Sequence, residues 1–182
     1  MNYQSIIDTY YPVGTELRDT YMRHAEEVTK LALALNRVGA FGIDEPTIEA
    51  AAMLHDIGIF ATDAPGIHCH GTEPYLRHGF IGGKLLRELG APEEWARVAE
   101  RHTGAGITAE DIIKQNLPIP RGNYCPETML EKLVCYADKF YSKSGKGGQK
   151  DYDAVRRSIA KFGMDSLKRF DDLHAIFRID KL

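Results

Sequence analysis

An apolar segment that ends in a histidine and a carboxylate is the feature that most constrains this chain. The residues from Ile48 to Leu54 predict a buried helix, and they run directly into His55-Asp56-Ile57-Gly58. Burying an imidazole beside a carboxylate is unfavourable unless a partner compensates both groups. A bound metal ion is the commonest compensation for such a pair. The fold must therefore bring further ligands to this point, and the candidates follow in order along the chain: His24, His78, His102 and Asp138.

Length and composition indicate an ordinary globular protein. The 182 residues are 43% hydrophobic and 27% charged, which suits one domain with a sizeable core. We expect a single domain over 1–182, with a core over about 15–142 and a C-terminal helical extension over about 150–182. The net charge of −3 argues against a protein that wraps a nucleic acid polymer.

The chain carries no sign of a membrane segment or of an oxidising compartment. Its apolar runs fall well short of the roughly 20 residues that a membrane helix needs, and its first residues lack the basic-then-apolar plan of a signal peptide. The cysteines are odd in number and widely spaced, which predicts neither a disulfide framework nor a CxxC metal pair. We therefore expect a cytoplasmic protein.

Helical periodicity predicts an all-α fold. Apolar residues recur at three- and four-residue steps, and proline, glycine and capping residues mark the ends of the segments. No run shows the period-two alternation of a strand. We expect one compact helical bundle with two short C-terminal helices packed on it. The predicted helices span residues 15–38, 44–59, 75–89, 92–101, 108–114, 126–142, 152–162 and 166–177.

The candidate ligands fall on the apolar faces of these helices. His24 lies between Tyr21 and Val28 on one stripe, and His102 follows Val98 by four residues. The same spacing turns the other candidates inward: His55, Asp56, His78 and Asp138. Four imidazoles and two carboxylates suit hard-to-borderline divalent ions. Their summed charge of about −2 would become about +2 with two divalent cations, which suits a hydroxide and an anionic substrate.

This ordered set resembles the HD superfamily of metal-dependent phosphohydrolases. The pattern runs His24, then His55-Asp56, then Asp138, and residues 55–58 match the HDIG variant. Residues 76–84, 101–103 and 130–138 are similar to the corresponding parts of HDIG-type phosphohydrolases, including bacterial HD-type diadenosine tetraphosphatases. The resemblance covers about 23–141, and the histidines at 78 and 102 resemble those of the HD proteins that hold two metals.

The resemblance implies a role for each ligand. One metal ion would be held by His24, His55, Asp56 and Asp138. Asp56 would bridge to a second ion that His78 and His102 also hold, and it would orient a hydroxide shared by both ions. Iron or manganese is favoured, with zinc, nickel, cobalt or magnesium also compatible. That hydroxide would attack the phosphorus of a small phosphate ester, for which a nucleotide is the expected substrate.

Cationic side chains near the ligands are candidates for binding the phosphate. The residues expected to bind substrate are Lys84, Arg101, Lys139 and His70. Further candidates are Arg77, Arg121, Lys143 and Lys146. The loop over 62–73 is either a cover for the site or a polar surface loop, and 144–150 is either a phosphate-closing segment or a flexible linker.

Two other functions stay open from the sequence. Some HD proteins with a similar order of ligands use two irons and dioxygen to cleave carbon bonds, so the chain could be an oxygenase. A metal-stabilised sensory or binding domain without catalysis is the other alternative. Neither the substrate nor a homo-oligomeric state follows from the residues alone.

Overall fold

Helices make up most of the computed structural model, which describes residues 1–145 and 148–182. The α-helices within these residues are α1 (Tyr3–Tyr10), α2 (Glu16–Gly39), α3 (Glu45–Leu54), α4 (His78–Glu88), α5 (Glu93–Arg101), α6 (Ala109–Gln115), α7 (Met129–Asp138), α8 (Tyr152–Ala160) and α9 (Met164–Phe177). The all-α prediction is therefore confirmed. Helix α1 was not predicted, because its two buried isoleucines, Ile6 and Ile7, give little periodicity.

Side-chain caps explain where several helices begin. The Thr15 side chain accepts a hydrogen bond from the backbone N–H of Arg18 at the start of α2. Thr108 and Asp111 form a reciprocal capping box on α6. Helix α7 begins after Thr128, which accepts from the third residue of the helix, and so it starts later than the proline at 126 suggested. These caps satisfy backbone donors that a helix leaves free at its first turn.

Helix α3 ends at Leu54, five residues before the predicted end. The chain then turns through residues 55–58 and continues as a short 3-10 helix, Ile59–Ala61. The hydroxyl of the buried Tyr11 donates to the carbonyl of Ile57 (2.9 Å) and accepts from the N–H of Phe60 (3.3 Å). Because Tyr11 bonds to these backbone groups, the turn is stabilised at the point where a continuing helix was predicted.

The core forms where α2, α3, α5 and α7 pack against one another, with α4 packed on α5 and α9 on α7. Glycines allow the closest of these approaches. A Cβ on Gly83 of α4 would lie 2.9 Å from Cβ of Glu100 and 3.0 Å from the carbonyl oxygen of Ala96 on α5. The paired glycines at 82–83 are therefore explained by the close packing of two helices. Ring stacking of Tyr136 on Phe170, with centroids 5.7 Å apart, joins α7 to α9.

A small hairpin interrupts the helices between α3 and α4. Strand β1 (Asp63–Ala64) pairs antiparallel with β2 (Cys69–His70), with Asp63 opposite His70. Two-residue strands are too short to show alternation, so this hairpin was not predicted. Short 3-10 helices also occur at Pro65–Ile67, Tyr75–Arg77 and Ile179–Lys181. Among the described helices, none combines the length and apolarity needed to cross a bilayer.

Candidate metal centre

Three histidines lie at the ends of helical segments and share one local geometry. His55 follows the last residue of α3, His78 follows the 3-10 helix before α4, and His102 follows α5. Their Nδ1 atoms lie 2.6, 2.6 and 2.8 Å from the carbonyl oxygens three residues earlier, those of Ala52, Tyr75 and Ala99. An imidazole that donates through Nδ1 presents a lone pair at Nε2 when it is neutral. These backbone carbonyls therefore orient each ring as a metal ligand.

The first group of ligand atoms surrounds Nε2 of His24 on α2. This nitrogen lies 2.9 Å from Oδ1 of Asp138, 3.3 Å from Nε2 of His55 and 3.3 Å from Oδ2 of Asp56. Nε2 of His55 is in turn 3.2 Å from Oδ2 of Asp56. Residues from α2, α7 and the turn after α3 thus meet at one buried point.

The second group surrounds the other oxygen of the same carboxylate. Nε2 of His78 and Nε2 of His102 are 3.0 Å apart, and they lie 3.4 and 3.2 Å from Oδ1 of Asp56. Oδ1 is buried and accepts no hydrogen bond from the described part of the chain. With Nδ1 as the donor in both rings, the two Nε2 lone pairs converge on this carboxylate oxygen. A cation bound between them would compensate all three atoms.

The spacing of these atoms fits bound divalent ions. Ligands held at about 2.1 Å from one ion, at angles near those of octahedral or tetrahedral sites, lie about 3.0 to 3.4 Å from one another. The distances in both groups, 2.9–3.4 Å for the contacts given above, fall around this range. His24, His55 and Asp138 form one set of converging ligand atoms, and His55, Asp56 and His102 form another. The residues present could hold a divalent metal.

The electrostatics of the cluster favour positive charge at its centre. Burial raises the pKa of Asp56, but the ammonium of Lys143 and the imidazole of His55 outweigh this and hold the pKa well below its usual range. Burial likewise raises the pKa of Asp138, and the ammoniums of Lys139 and Lys143 outweigh it and lower the pKa. Both carboxylates are therefore ionised, as ligands of a divalent ion must be.

The histidines differ in the number of carboxylates close to them: His55 lies near both Asp56 and Asp138, whereas His78 and His102 lie near Asp56. Burial lowers the pKa of His55, but Asp56 and Asp138 outweigh it and raise that pKa to about 9. Burial lowers the pKa of His78 to about 3, against the opposing effect of Asp56, and burial also lowers the pKa of His102. A proton on His55 supplies the kind of charge that a metal ion would supply, and His78 is neutral at pH 7.

A cleft of about 540 Å³ leads to this cluster. Its lining includes Asp138 and three lysines: Lys139, Lys143 and Lys150. The ammonium of Lys139 donates to the carbonyl of His102 (2.9 Å) and to Oδ2 of Asp138 (2.6 Å). The ammonium of Lys143 lies 2.6 Å from Oδ2 of Asp56. The cleft is therefore positively charged close to the ligand cluster, which suits an anionic ligand.

The residues expected to bind phosphate do not all lie at this cleft. Lys139 does, whereas the Lys84 side chain is 65% exposed and pairs with Glu88 one turn along α4. Arg101 lies 2.8 Å from a carboxylate oxygen of Glu127 and donates to the carbonyl of residue 125. Neither side chain is among the lining residues of the cleft, and their role as substrate contacts stays a prediction.

The remaining candidates are placed as follows. His70 is exposed on β2, Arg77 pairs with Glu73 at 2.9 Å, and Arg121 is exposed. Lys146 lies outside the described residues, as does part of the 144–150 segment. Lys150 was not predicted individually, because this segment has no periodicity that would orient one side chain.

Comparison with known proteins identifies the family. The family model described as "HD domain" matches residues 21–142. The chain belongs to the HD domain family. The resemblance inferred from the ordered histidines and aspartates is therefore confirmed. The matched region contains all six residues of the cluster, from His24 on α2 to Asp138 on α7.

Several curated relatives share part of the chain. An uncharacterized protein of Methanocaldococcus jannaschii is 42% identical over 114 residues, which are 63% of this chain and 59% of that protein. A tRNA (cytidine(56)-2'-O)-methyltransferase of Picrophilus torridus is 35% identical over 68% of this chain and 32% of its own length. The protein of the same name from Thermoplasma volcanium is 32% identical over 139 residues, which are 76% of this chain and 36% of that protein. The chain spans between a third and three-fifths of the length of these relatives.

Two solved structures share the fold. The HD domain of the L. monocytogenes phosphodiesterase PgpH in complex with cyclic-di-AMP has a TM-score of 0.53 and 15% identity, over 94% of this chain and 92% of that one. A second structure of the same domain has a TM-score of 0.52 and 16% identity, with 94% of each chain covered. The likeness extends over almost the whole of both chains and supports the helical HD fold.

Proposed function

We propose that this protein is a metal-dependent phosphohydrolase that holds two divalent ions and acts on a small phosphate ester, with a nucleotide as the substrate. The observation that carries the proposal is the position of Asp56. Its two carboxylate oxygens face different histidine groups, Oδ2 toward His24 and Oδ1 toward His102. A carboxylate placed in this way can bridge two ions.

Each of the two groups of ligand atoms would hold one ion. The first ion would be held by His24, His55, Asp138 and Oδ2 of Asp56. The second would be held by His78, His102 and Oδ1 of Asp56. When bound, the ions supply Lewis acidity toward phosphoryl oxygens and acidify a water molecule to provide the nucleophile. Iron and manganese are the ions we favour, because both accept mixed imidazole and carboxylate ligands.

The lysines of the cleft would bind and orient the phosphate. Lys139 is held by the His102 carbonyl and by Asp138, so its ammonium is fixed beside the ligands before substrate arrives. Lys143 and Lys150 line the same cleft. Fixed positive charge of this kind stabilises the negative charge that develops on phosphoryl oxygens during transfer. A preorganised ammonium loses little free energy to reorientation in the transition state.

Both parts of the chain contribute to the lining of the cleft. The region 15–142 carries the six ligands, of which Asp138 lines the cleft, and the extension over 150–182 contributes Val155, Ile159 and Phe162. A cleft of about 540 Å³ lies within the range of about 300 to 1,000 Å³ that is usual for small-molecule sites. The binding of cyclic-di-AMP by the PgpH domain supports a nucleotide as the substrate class.

The test combines metal analysis with a substrate screen. Protein purified without chelators would be assayed for phosphate release from nucleotides and simple phosphate esters, beside Asp56→Ala, His55→Ala and the surface control Lys168→Ala. We expect turnover in the wild type and in the control, and its loss in both ligand variants. Dioxygen consumption by the ferrous protein without phosphate release would overturn the proposal in favour of an oxygenase. Absence of turnover by fully metallated protein over the whole screen would also overturn it.

A further inference from the structure

A second, smaller cavity of about 180 Å³ lies beside the lysine-lined cleft. Its apolar lining includes Leu76, Ile107, Leu117 and Phe162, and its polar lining includes Gln115 and Arg169. The three lysines of the cleft are not among its lining residues. The two cavities therefore differ in chemistry, because one carries positive charge and the other is mainly apolar.

The walls of the two cavities are continuous. Gly104 and Phe162 line both of them. Tyr75 lines the cleft, and the next residue, Leu76, lines the smaller cavity. Thr103 of the smaller cavity directly follows the ligand His102. The two cavities therefore lie side by side and share part of their lining.

The size and lining of the smaller cavity suit a planar ring. An apolar cavity of about 150 Å³ binds benzene in a protein core, so the space here admits an aromatic ring with polar edges. Phe162 connects α8 to α9 and is 60% exposed, so its ring is free to pack on the face of a ligand ring. Arg169 donates to the Gly106 carbonyl (3.2 Å) and to Asp111 (2.8 Å), which fixes its guanidinium at the cavity edge.

We propose that this cavity binds the base of a nucleotide while the lysine-lined cleft binds its phosphate. The inference rests on the proposed phosphohydrolase function and narrows its substrate to phosphate esters that carry a heteroaromatic ring. Phe162 would stack on the base, and the polar groups of Gln115 and Arg169 would face the ring edge. A sugar phosphate without a base would fill only the cleft and would bind more weakly.

The test compares substrates with and without a base in the full chain. Steady-state kinetics would be measured for nucleoside 5'-monophosphates and for ribose 5-phosphate. The variants are Phe162→Ala, Phe162→Tyr, and Met164→Ala as an exposed apolar control outside both cavities. We expect Phe162→Ala to raise KM for the nucleotides about tenfold, the loss of one base–aromatic stack, and to raise KM for ribose 5-phosphate much less, whereas Met164→Ala should leave both unchanged. Phe162→Tyr should retain wild-type KM.

A binding measurement separates failure of this inference from failure of the proposed function. Adenosine, guanosine, cytidine and uridine would be titrated into metal-free protein and into Phe162→Ala, with NMR chemical shifts as the readout. Binding of at least one nucleoside, weakened about tenfold in the variant, would support the base site. Nucleotide turnover with no nucleoside binding and no effect of Phe162→Ala would overturn the base site and leave the phosphohydrolase proposal standing. Nucleoside binding without any phosphate release would overturn the phosphohydrolase proposal alone.

Discussion

The ammonium of Lys143 lies 2.6 Å from Oδ2 of Asp56, and its side chain is only 13% exposed. The same oxygen is 3.3 Å from Nε2 of His24 and 3.2 Å from Nε2 of His55. In the proposed function this oxygen is a ligand of the first metal ion. The lysine and the divalent ion would therefore place two cations on one carboxylate oxygen in a buried site, where their repulsion is poorly screened.

Replacing Lys143 with methionine tests this relationship. We expect Lys143→Met to bind a divalent ion at least tenfold more tightly, because a buried charge a few ångströms away no longer repels the ion. Competition with a chelating dye would measure the affinity, with Lys168→Met as the exposed control. The same variant should raise KM for the phosphate ester, since the cleft loses one cation. Equal or weaker metal binding would mean that Lys143 supports the ligand Asp56 instead of competing with the ion.

A steric test concerns the turn that carries the two central ligands. A Cβ on Gly58 would lie 2.2 Å from the carbonyl oxygen of His78 and 2.6 Å from the backbone nitrogen of Gly82. These are backbone atoms, so α4 would have to move. We expect Gly58→Ala to lower the free energy of unfolding in urea by about 2 to 3 kcal/mol and to reduce metal content. Gly66→Ala is the matched control, because its Cβ would meet nothing within 4 Å. Equal stability of the two variants would contradict the close packing described here.

The pH dependence of stability is tested at Glu131 on α7. Its buried carboxylate accepts from Nε of Arg97 (2.7 Å) and from the N–H of Glu127 (2.8 Å). Burial raises the pKa of Glu131, but these two partners outweigh it and lower that pKa below 4.5. Because the folded pKa is below the unfolded value, the stabilisation is complete above about pH 4.5 and is lost as pH falls through the folded pKa.

Glu131→Gln should therefore lower the free energy of unfolding at pH 7 by about 2 kcal/mol. The difference from the wild type should shrink as both proteins are acidified below about pH 4.5. Urea unfolding followed by circular dichroism at several pH values measures this. Glu127→Gln, at a carboxylate whose side chain is 53% exposed, should have a smaller effect. A difference that stays constant down to pH 3 would show that the Glu131 carboxylate does not act through its charge.

The sequence predicted the helices better than their ends near the site. Periodicity and capping residues predicted the positions of α2 through α9, because each of these helices has a recognisable apolar face. The helix after Asp44 was predicted too long because Ile57 and Ile59 continue the apolar pattern. Its actual end depends on hydrogen bonds from Tyr11, a residue far away in sequence. Such a tertiary contact leaves no local signal.

The ligands of the site were predictable from the sequence, but the way they come together was not. The order of histidines and aspartates indicated which six residues to examine, but whether these residues meet depends on the packing of α2, α3, α4, α5 and α7. From the sequence, Lys143 was only one of several candidate cations. It lies in a loop after α7, where no helical periodicity predicts the direction of a side chain. Phe162 was not predicted as a site residue, because its place in the lining of both cavities depends on the packing of the C-terminal helices.

The number of metal ions per chain tests the central claim most directly. Inductively coupled plasma mass spectrometry would be applied to wild-type protein purified without chelators and to the variants Asp56→Ala and His102→Ala. The bridging position of Asp56 predicts about two ions per wild-type chain, about one in His102→Ala and almost none in Asp56→Ala. A wild-type ratio of about one that His102→Ala leaves unchanged would contradict the two-ion centre.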